Sequence, residues 1–171
     1  MKKFENMYID FDGVIFPTED FLFERYKKSK EQGIKLDKLN YLQTYEWREL
    51  LEKIDPIPDS IEVLKELKKA IILTKVHSME NEAKAKIDIL RSLNVKNDII
   101  IVPFMYKKTD IVIAKNSILV DDTVHNLDDW SKEWGFPIFF NKDNEDIDGW
   151  GKDNTKYPKI KSLRQLENIK L

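Results

Sequence analysis

Two carboxylates, Asp10 and Asp12, stand two residues apart inside the otherwise apolar run MYIDFDGVIF. A carboxylate among hydrocarbon is costly unless something compensates its charge. Acids recur at the end of another apolar run, SILVDD, as Asp121 and Asp122, and a third run, AIILTK, ends in Thr74 and Lys75. Three or four carboxylates held together repel strongly unless a cation sits among them. The chain has no cysteine and two histidines, so the ligands on offer are hard oxygens, which suit Mg2+ better than zinc. The acids therefore read as facing a metal, not the core.

That reading requires elements that bring the run ends together. The short runs Met7-Tyr8-Ile9, Ala70-Ile71-Ile72-Leu73, Ile99-Ile100-Ile101-Val102, Ser117-Ile118-Leu119-Val120 and Pro137-Ile138-Phe139-Phe140 are apolar throughout, as buried parallel strands are. Helical patterns lie between them. In 59–69, Ile61, Leu64 and Leu67 recur at helical spacing, with Asp59 and Glu62 spaced as a capping box; 79–93 carries Ala83, Ile87 and Leu90 on one stripe; Ser162 and Gln165 repeat the capping spacing. Strand–helix alternation predicts an α/β fold, a parallel sheet flanked by helices. Ligands of such sheets bind beyond the carboxyl ends of the strands, where Asp10, Thr74 and Asp121–Asp122 fall.

One segment breaks the rhythm. Residues 18–57, between the first and second strands, are too long for a plain crossover and read as one or two helices rich in aromatics (Phe21, Phe23, Tyr26, Tyr41, Tyr45, Trp47), closed by Pro56 and Pro58. The predicted division is a core of 1–17 and 58–171 with a small helical insert at 18–57. Residues 141–158, with Gly149 and Gly151, read as loop.

Bulk composition excludes several classes. The chain of 171 residues is 42% hydrophobic and 35% charged, which suits one domain with a solvated surface. Its 29 basic and 31 acidic residues leave no basic excess to grip a nucleic-acid polymer. The longest apolar run, 99–106, is too short to span a bilayer and contains Pro103, and the N-terminus lacks a secretory signal, so a cytoplasmic location is expected.

Plainer readings compete at each position. The Asp-Gly step of FDGV also suits a hairpin turn, and Thr123 or Asp122 could cap a helix running to Trp130. A calcium loop is excluded, because Val14 and Phe16 stand where oxygen ligands should. His125 and Asn126 lie near the acid pair, while His77 reads as surface. Trp130, Trp134 and Trp150 read as core or surface packing. Lys107, Lys108 and Lys115 precede the acid pair in a lysine-rich chain where most lysines are simply solvated.

The order of the set is what distinguishes it: strand-end Asp-x-Asp-Gly, strand-end Thr, a lysine, strand-end Asp-Asp. In that order DFDGV, IILTK, the lysine and ILVDD resemble the four motifs of the haloacid-dehalogenase (HAD) superfamily. Phosphate-receiver domains use similar parts in another order, and no Walker-type glycine loop exists. Within the superfamily, DPIPDSIEVLKEL and KKTDIVIAKNSILVDDTVHNLDDW are similar to stretches of the 5′(3′)-deoxyribonucleotidases. Lys75 and Val76 after Thr74, and FPTED after the first motif, depart from that group at substrate contacts.

The resemblance implies a HAD-like, Rossmann-like sheet with residues 18–57 as a small cap, and a Mg2+-dependent phosphomonoester hydrolase. Asp10 would be the nucleophile that forms an aspartyl-phosphate, and Asp12 the acid and then the base. Thr74 would bond a phosphoryl oxygen, and Lys108, with Lys115 and Lys107 as rivals, would neutralise the phosphate. Asp10, Asp12 through its carbonyl, and Asp121 or Asp122 would hold Mg2+. Phe11, Phe16, Lys75, Tyr45 and Trp47 are the expected substrate contacts, the insert's aromatics stacking on the base of a (deoxy)nucleoside monophosphate. A phosphatase for sugar phosphates and a non-catalytic binding module are the alternatives, and a homodimer is left open.

Overall fold

A computed structural model describes residues 4–34, 37–142 and 156–166, with the side chains of Phe23 and Arg25 excepted. The sequence readings on Phe23, on Trp150 and on the loop through Gly149 and Gly151 lie outside that description.

Among the described residues six strands form one parallel sheet: β1 (Met7–Ile9), β2 (Ile71–Val76), β3 (Ile99–Pro103), β4 (Ile118–Asp121), β5 (Phe136–Phe140) and β6 (Lys159–Ile160). Their order is β3-β2-β1-β4-β5-β6. Successive residues serve opposite faces of the sheet. Met7 and Ile9 of β1, with Ile118 and Val120 of β4, enter one apolar layer, while Tyr8 and Leu119 enter the other. Burial on both sides explains why the strands are apolar without alternation.

The chain turns from one side of β1 to the other after β3, which makes the carboxyl end of β1 the switch point where such sheets open a crevice. Ile9 pairs with Val120 and with Ile72, so Asp10 and Asp121 emerge side by side, with Thr74 on the next strand.

The described residues of 18–57 form three helices where one or two were expected: α1 (Thr18–Glu31), α2 (Lys38–Thr44) and α3 (Trp47–Lys53). α3 buries Trp47, Leu50 and Leu51 in the main apolar layer and packs on α5 (Lys84–Ser92). After β1 the Asp-Gly step makes a tight loop, not a hairpin between strands. The amides of Ile15 and Phe16 donate to the Phe11 carbonyl, and that of Gly13 to Phe16.

At the helix starts one capping expectation fails, one helix opens differently and one cap holds. Asp59, before α4 (Ser60–Glu66), has φ of 66° and makes no side-chain cap; Ser60 Oγ donates instead to the Ile15 carbonyl, 3.2 Å away. The helix expected over 79–93 opens as a π-helical turn, Met79–Ala83, before α5 begins. At the last turn, Gln165 Oε1 accepts from the Ser162 amide and Ser162 Oγ from the Arg164 amide, the reciprocal cap its spacing predicts. Trp130, in α7 (Val124–Lys132), is core and donates to the Ser117 carbonyl, whereas Trp134 is exposed. Among the described residues no helix is long and apolar enough to cross a membrane.

Candidate active site

A cavity of about 600 Å³ opens over the carboxyl ends of the strands. Its acidic end is formed by Asp10, Asp12, Glu19 and Asp122, and Lys75, Thr123, His125 and Asn126 also reach it. The apolar lining comes from α1, α2, α3 and the turn after β3, through Leu22, Tyr26, Tyr41, Leu42, Trp47 and Phe104.

Asp10 directly follows β1 and is 5% exposed. Its Oδ1 lies 2.9 Å from Lys108 Nζ, which is also 2.6 Å from Asp121 Oδ2. Lys108 comes from α6 (Lys108–Ile111), a short helix between β3 and β4. Asp121 is fixed further by the Thr123 amide at 2.8 Å and by Asn126 Nδ2 at 3.0 Å. The Thr123 side chain makes no helix cap; its hydroxyl donates to Asp122 Oδ1 at 3.2 Å. Asp122 faces Gly13. A Cβ on Gly13 would sit 1.7 Å from Asp122 Oδ2, and the Gly13 φ is +68°, so only glycine fits.

The electrostatics follow from too many acids around one ammonium. Burial pushes Asp10 up to about 8, with Asp121 and Asp12 adding to the rise and Lys108 opposing it. Glu19 is pushed up to about 7 by burial and then by Asp12 and Asp121. Asp122 lies well above the carboxylate range, again through burial first and its acidic neighbours second. Burial would lower the Lys108 ammonium, but Asp10 and Asp121 outweigh it and hold it charged. Burial, reinforced by the charge of Lys108, lowers Lys75. Carboxylate oxygens of Asp10, Asp121 and Asp122 lie within 4.8 Å of one another. Opposite ligands of an octahedral Mg2+ are about 4.2 Å apart, so this oxygen set fits a hard divalent cation after small side-chain shifts.

No known family profile matches the sequence, and no curated protein matches it. Solved structures do. The chain superposes on the HAD-hydrolase YfnB of Bacillus subtilis, solved bound to magnesium, with a TM-score of 0.65 at 13% identity, covering 98% of this chain and 99% of that one. β-Phosphoglucomutase from Clostridium difficile gives 0.61 at 16% identity over 96% and 94%. L-2-haloacid dehalogenase from Xanthobacter autotrophicus gives 0.59 at 11% identity over 95% and 96%. The chain has the HAD-like fold.

Within this HAD-like fold the sequence-expected residues separate into three groups. Asp10, Asp12, Asp122, Lys75 and Trp47 line the cavity. Thr74, Lys108 and Asp121 lie just behind it, fully or nearly fully buried against Asp12 or Asp10. Phe11, Phe16 and Tyr45 do not reach it. The chain turns sharply after Asp10, which stacks Phe11 on Phe16 at 5.1 Å in the core, and α3 tucks Tyr45 against Trp47. Tyr26, Tyr41 and Phe104 take the places given to those rings. Lys107 is half-exposed on Asp129, and Lys115 is exposed. His77, read as surface, stacks on Phe104 at the cavity wall.

Asp12 departs from the strand geometry expected of it. β1 ends at Ile9, so Asp12 reaches the cavity from the turn. Its Oδ1 accepts from Thr18 Oγ1 at 2.6 Å, and its Oδ2 lies 2.6 Å from Lys86 Nζ. Sequence reasoning missed Lys86, its partner Glu82, and Glu19.

Proposed function

We propose that this protein is a Mg2+-dependent phosphomonoesterase that works through an aspartyl-phosphate on Asp10, with a (deoxy)nucleoside monophosphate as substrate. The observation that carries this reading is a buried, ammonium-held Asp10 that shares one cavity with a second acid, Asp12, and clusters with the carboxylates of Asp121 and Asp122. Asp10, Asp121 and Asp122 would hold Mg2+, which supplies positive charge where an anionic nucleophile meets an anionic phosphate.

An Asp10 oxygen attacks phosphorus and the ester P–O bond breaks, the leaving oxygen taking a proton from Asp12. A water then attacks the phosphorus, gives its proton to Asp12, and releases phosphate and the Asp10 carboxylate. Lys108 keeps Asp10 and Asp121 from repelling one another, and Lys75 brings an ammonium to the cavity wall for the phosphate. The aromatic wall of Tyr26, Tyr41, Trp47 and Phe104 suits a flat, apolar leaving group, and stacking a base contributes about 1–3 kcal/mol.

Phosphate release from a panel of nucleotides and sugar phosphates, with and without Mg2+, tests this. The expected result is metal-dependent hydrolysis with nucleotides preferred several-fold. A preference for sugar phosphates would move the substrate within the same chemistry. No release from any ester would leave a binding module.

The raised carboxylates give a second check. Between pH about 4 and 8 the folded, metal-free protein retains protons on Asp10 and Glu19 that the unfolded chain has released, so its stability falls as pH rises. Mg2+ needs the ionised forms and should stabilise more at pH 8 than at pH 5.5. At a hundredfold excess over Kd the gain is about 2.7 kcal/mol, or roughly 5–10 °C in Tm at this chain length. Equal Mg2+ increments at both pH values would count against the carboxylate site.

A further inference from the structure

Lys86 is 0% exposed in the first turn of α5, and its ammonium has two carboxylate partners: Glu82 Oε1 at 2.6 Å, four residues earlier, and Asp12 Oδ2 at 2.6 Å. Thr74 Oγ1 at 3.2 Å and the Lys75 carbonyl at 3.1 Å complete its hydrogen bonds, while the rings of Phe11 and Trp47 stand 5.2 and 5.0 Å away. Glu82 is itself fixed by the His77 amide at 2.7 Å. Burying an ion pair brings little stability by itself, and Glu82 alone would neutralise the lysine. What the burial achieves is a rigid donor aimed at one oxygen of Asp12, opposite the Thr18 hydroxyl on the other oxygen.

We propose that Lys86, neutralised by Glu82, is the positioning residue for the Asp12 carboxylate and sets the rate at which water is activated in the second half-reaction. The assignment rests on the phosphatase reading above. Burial would discharge Lys86, but Asp12 and Glu82 outweigh it and hold the ammonium above the usual lysine range, so the donor persists at working pH. Because Glu82 balances its charge, Lys86 orients Asp12 without imposing an excess positive charge on it.

The test separates the two half-reactions with p-nitrophenyl phosphate, whose leaving group departs without protonation. In Lys86→Met the first step should survive and the second should slow. Misplacing a reacting group by about 1 Å can cost on the order of a hundredfold, and kcat should fall by about that factor with KM changed less than threefold. The trace should then show a burst approaching one p-nitrophenolate per chain, with labelled phosphate retained on the protein, and Lys86→Arg should recover part of kcat. Lys86→Met strands Glu82, so the charge-balanced pair Lys86→Met with Glu82→Gln supplies the same readout in a variant without that buried charge. A kcat within twofold of wild type in the folded double variant, or a loss of kcat without a burst, would overturn the assignment. Wild-type protein without Mg2+-dependent turnover would overturn the phosphatase reading, and this assignment with it.

Discussion

Asp10→Asn should abolish turnover, with phosphate release falling by on the order of 10^4-fold or more, as expected when a covalent nucleophile is removed from a machinery that acts as a unit. The amide matches the carboxylate in shape but has no anionic oxygen to attack phosphorus, so no labelled phosphate should remain on the protein. The fold should survive. Burial and the neighbouring acids already push Asp10 up to about 8, which means its charge is a burden to the metal-free protein. Neutralising it removes one negative group beside Asp121 and leaves Lys108 paired at 2.6 Å. The metal-free variant should therefore melt at or above the wild-type temperature, and its Mg2+-dependent increment should shrink because one ligand oxygen has become a weaker donor. Both are read in one set of melts beside the activity assay. Residual turnover above about 1% of wild type, checked against contamination by a second preparation, would remove Asp10 from the nucleophile's role.

The same residue shows what was legible in the sequence. Asp10 and Asp121 could be placed together because both end short runs that are apolar throughout, and such runs lie in the middle of a parallel sheet, where strand ends converge. Lys86 was obscured by the 29 basic residues of the chain. Its signal was present: it lies three residues after Ala83 and four before Leu90, on the buried side of α5, four residues after Glu82. A lysine and glutamate one turn apart on an apolar stripe are a buried pair in need of a further reason. The aromatics carried no comparable signal. Tyr26 and Tyr41 face the cavity while Phe16 and Tyr45 face the core, and this depends on how the three inserted helices are rotated, which their sequence does not encode strongly. The Asp59 cap failed because a left-handed residue and the Ser60 bond to Ile15 already set the start of that helix.

Lys108→Met should damage fold and chemistry together, and the two effects can be read apart. Lys108 Nζ is shared between Asp10 Oδ1 and Asp121 Oδ2, at 2.9 and 2.6 Å, with all three side chains buried. Removing one member of a buried pair strands the remaining charge and typically costs about 3–5 kcal/mol. Asp121 keeps the Thr123 amide and Asn126, so Asp10 bears most of the loss. Lys108 at present lowers Asp10. Without it the Asp10 carboxyl rises further above about 8, so the share of the destabilisation that Asp10 carries should be smallest where wild-type Asp10 still keeps its proton and grow as pH rises through and above about 8. Saturating Mg2+ returns positive charge to the same oxygens and should recover part of the loss, so the variant's melting temperature should depend on the metal more steeply than that of the wild type. With the metal-bound variant folded, turnover should still fall by about 10^2–10^3-fold, the usual loss when one preorganised electrostatic group is removed. Lys107→Met gives up a half-exposed pair with Asp129, and Lys115→Met alters an exposed residue; both should stay within about 0.5 kcal/mol of wild type and keep near-normal turnover. If either of those variants lost turnover while Lys108→Met kept it, the electrostatic role given to Lys108 would pass to that lysine, and the buried ammonium at Asp10 would be structural.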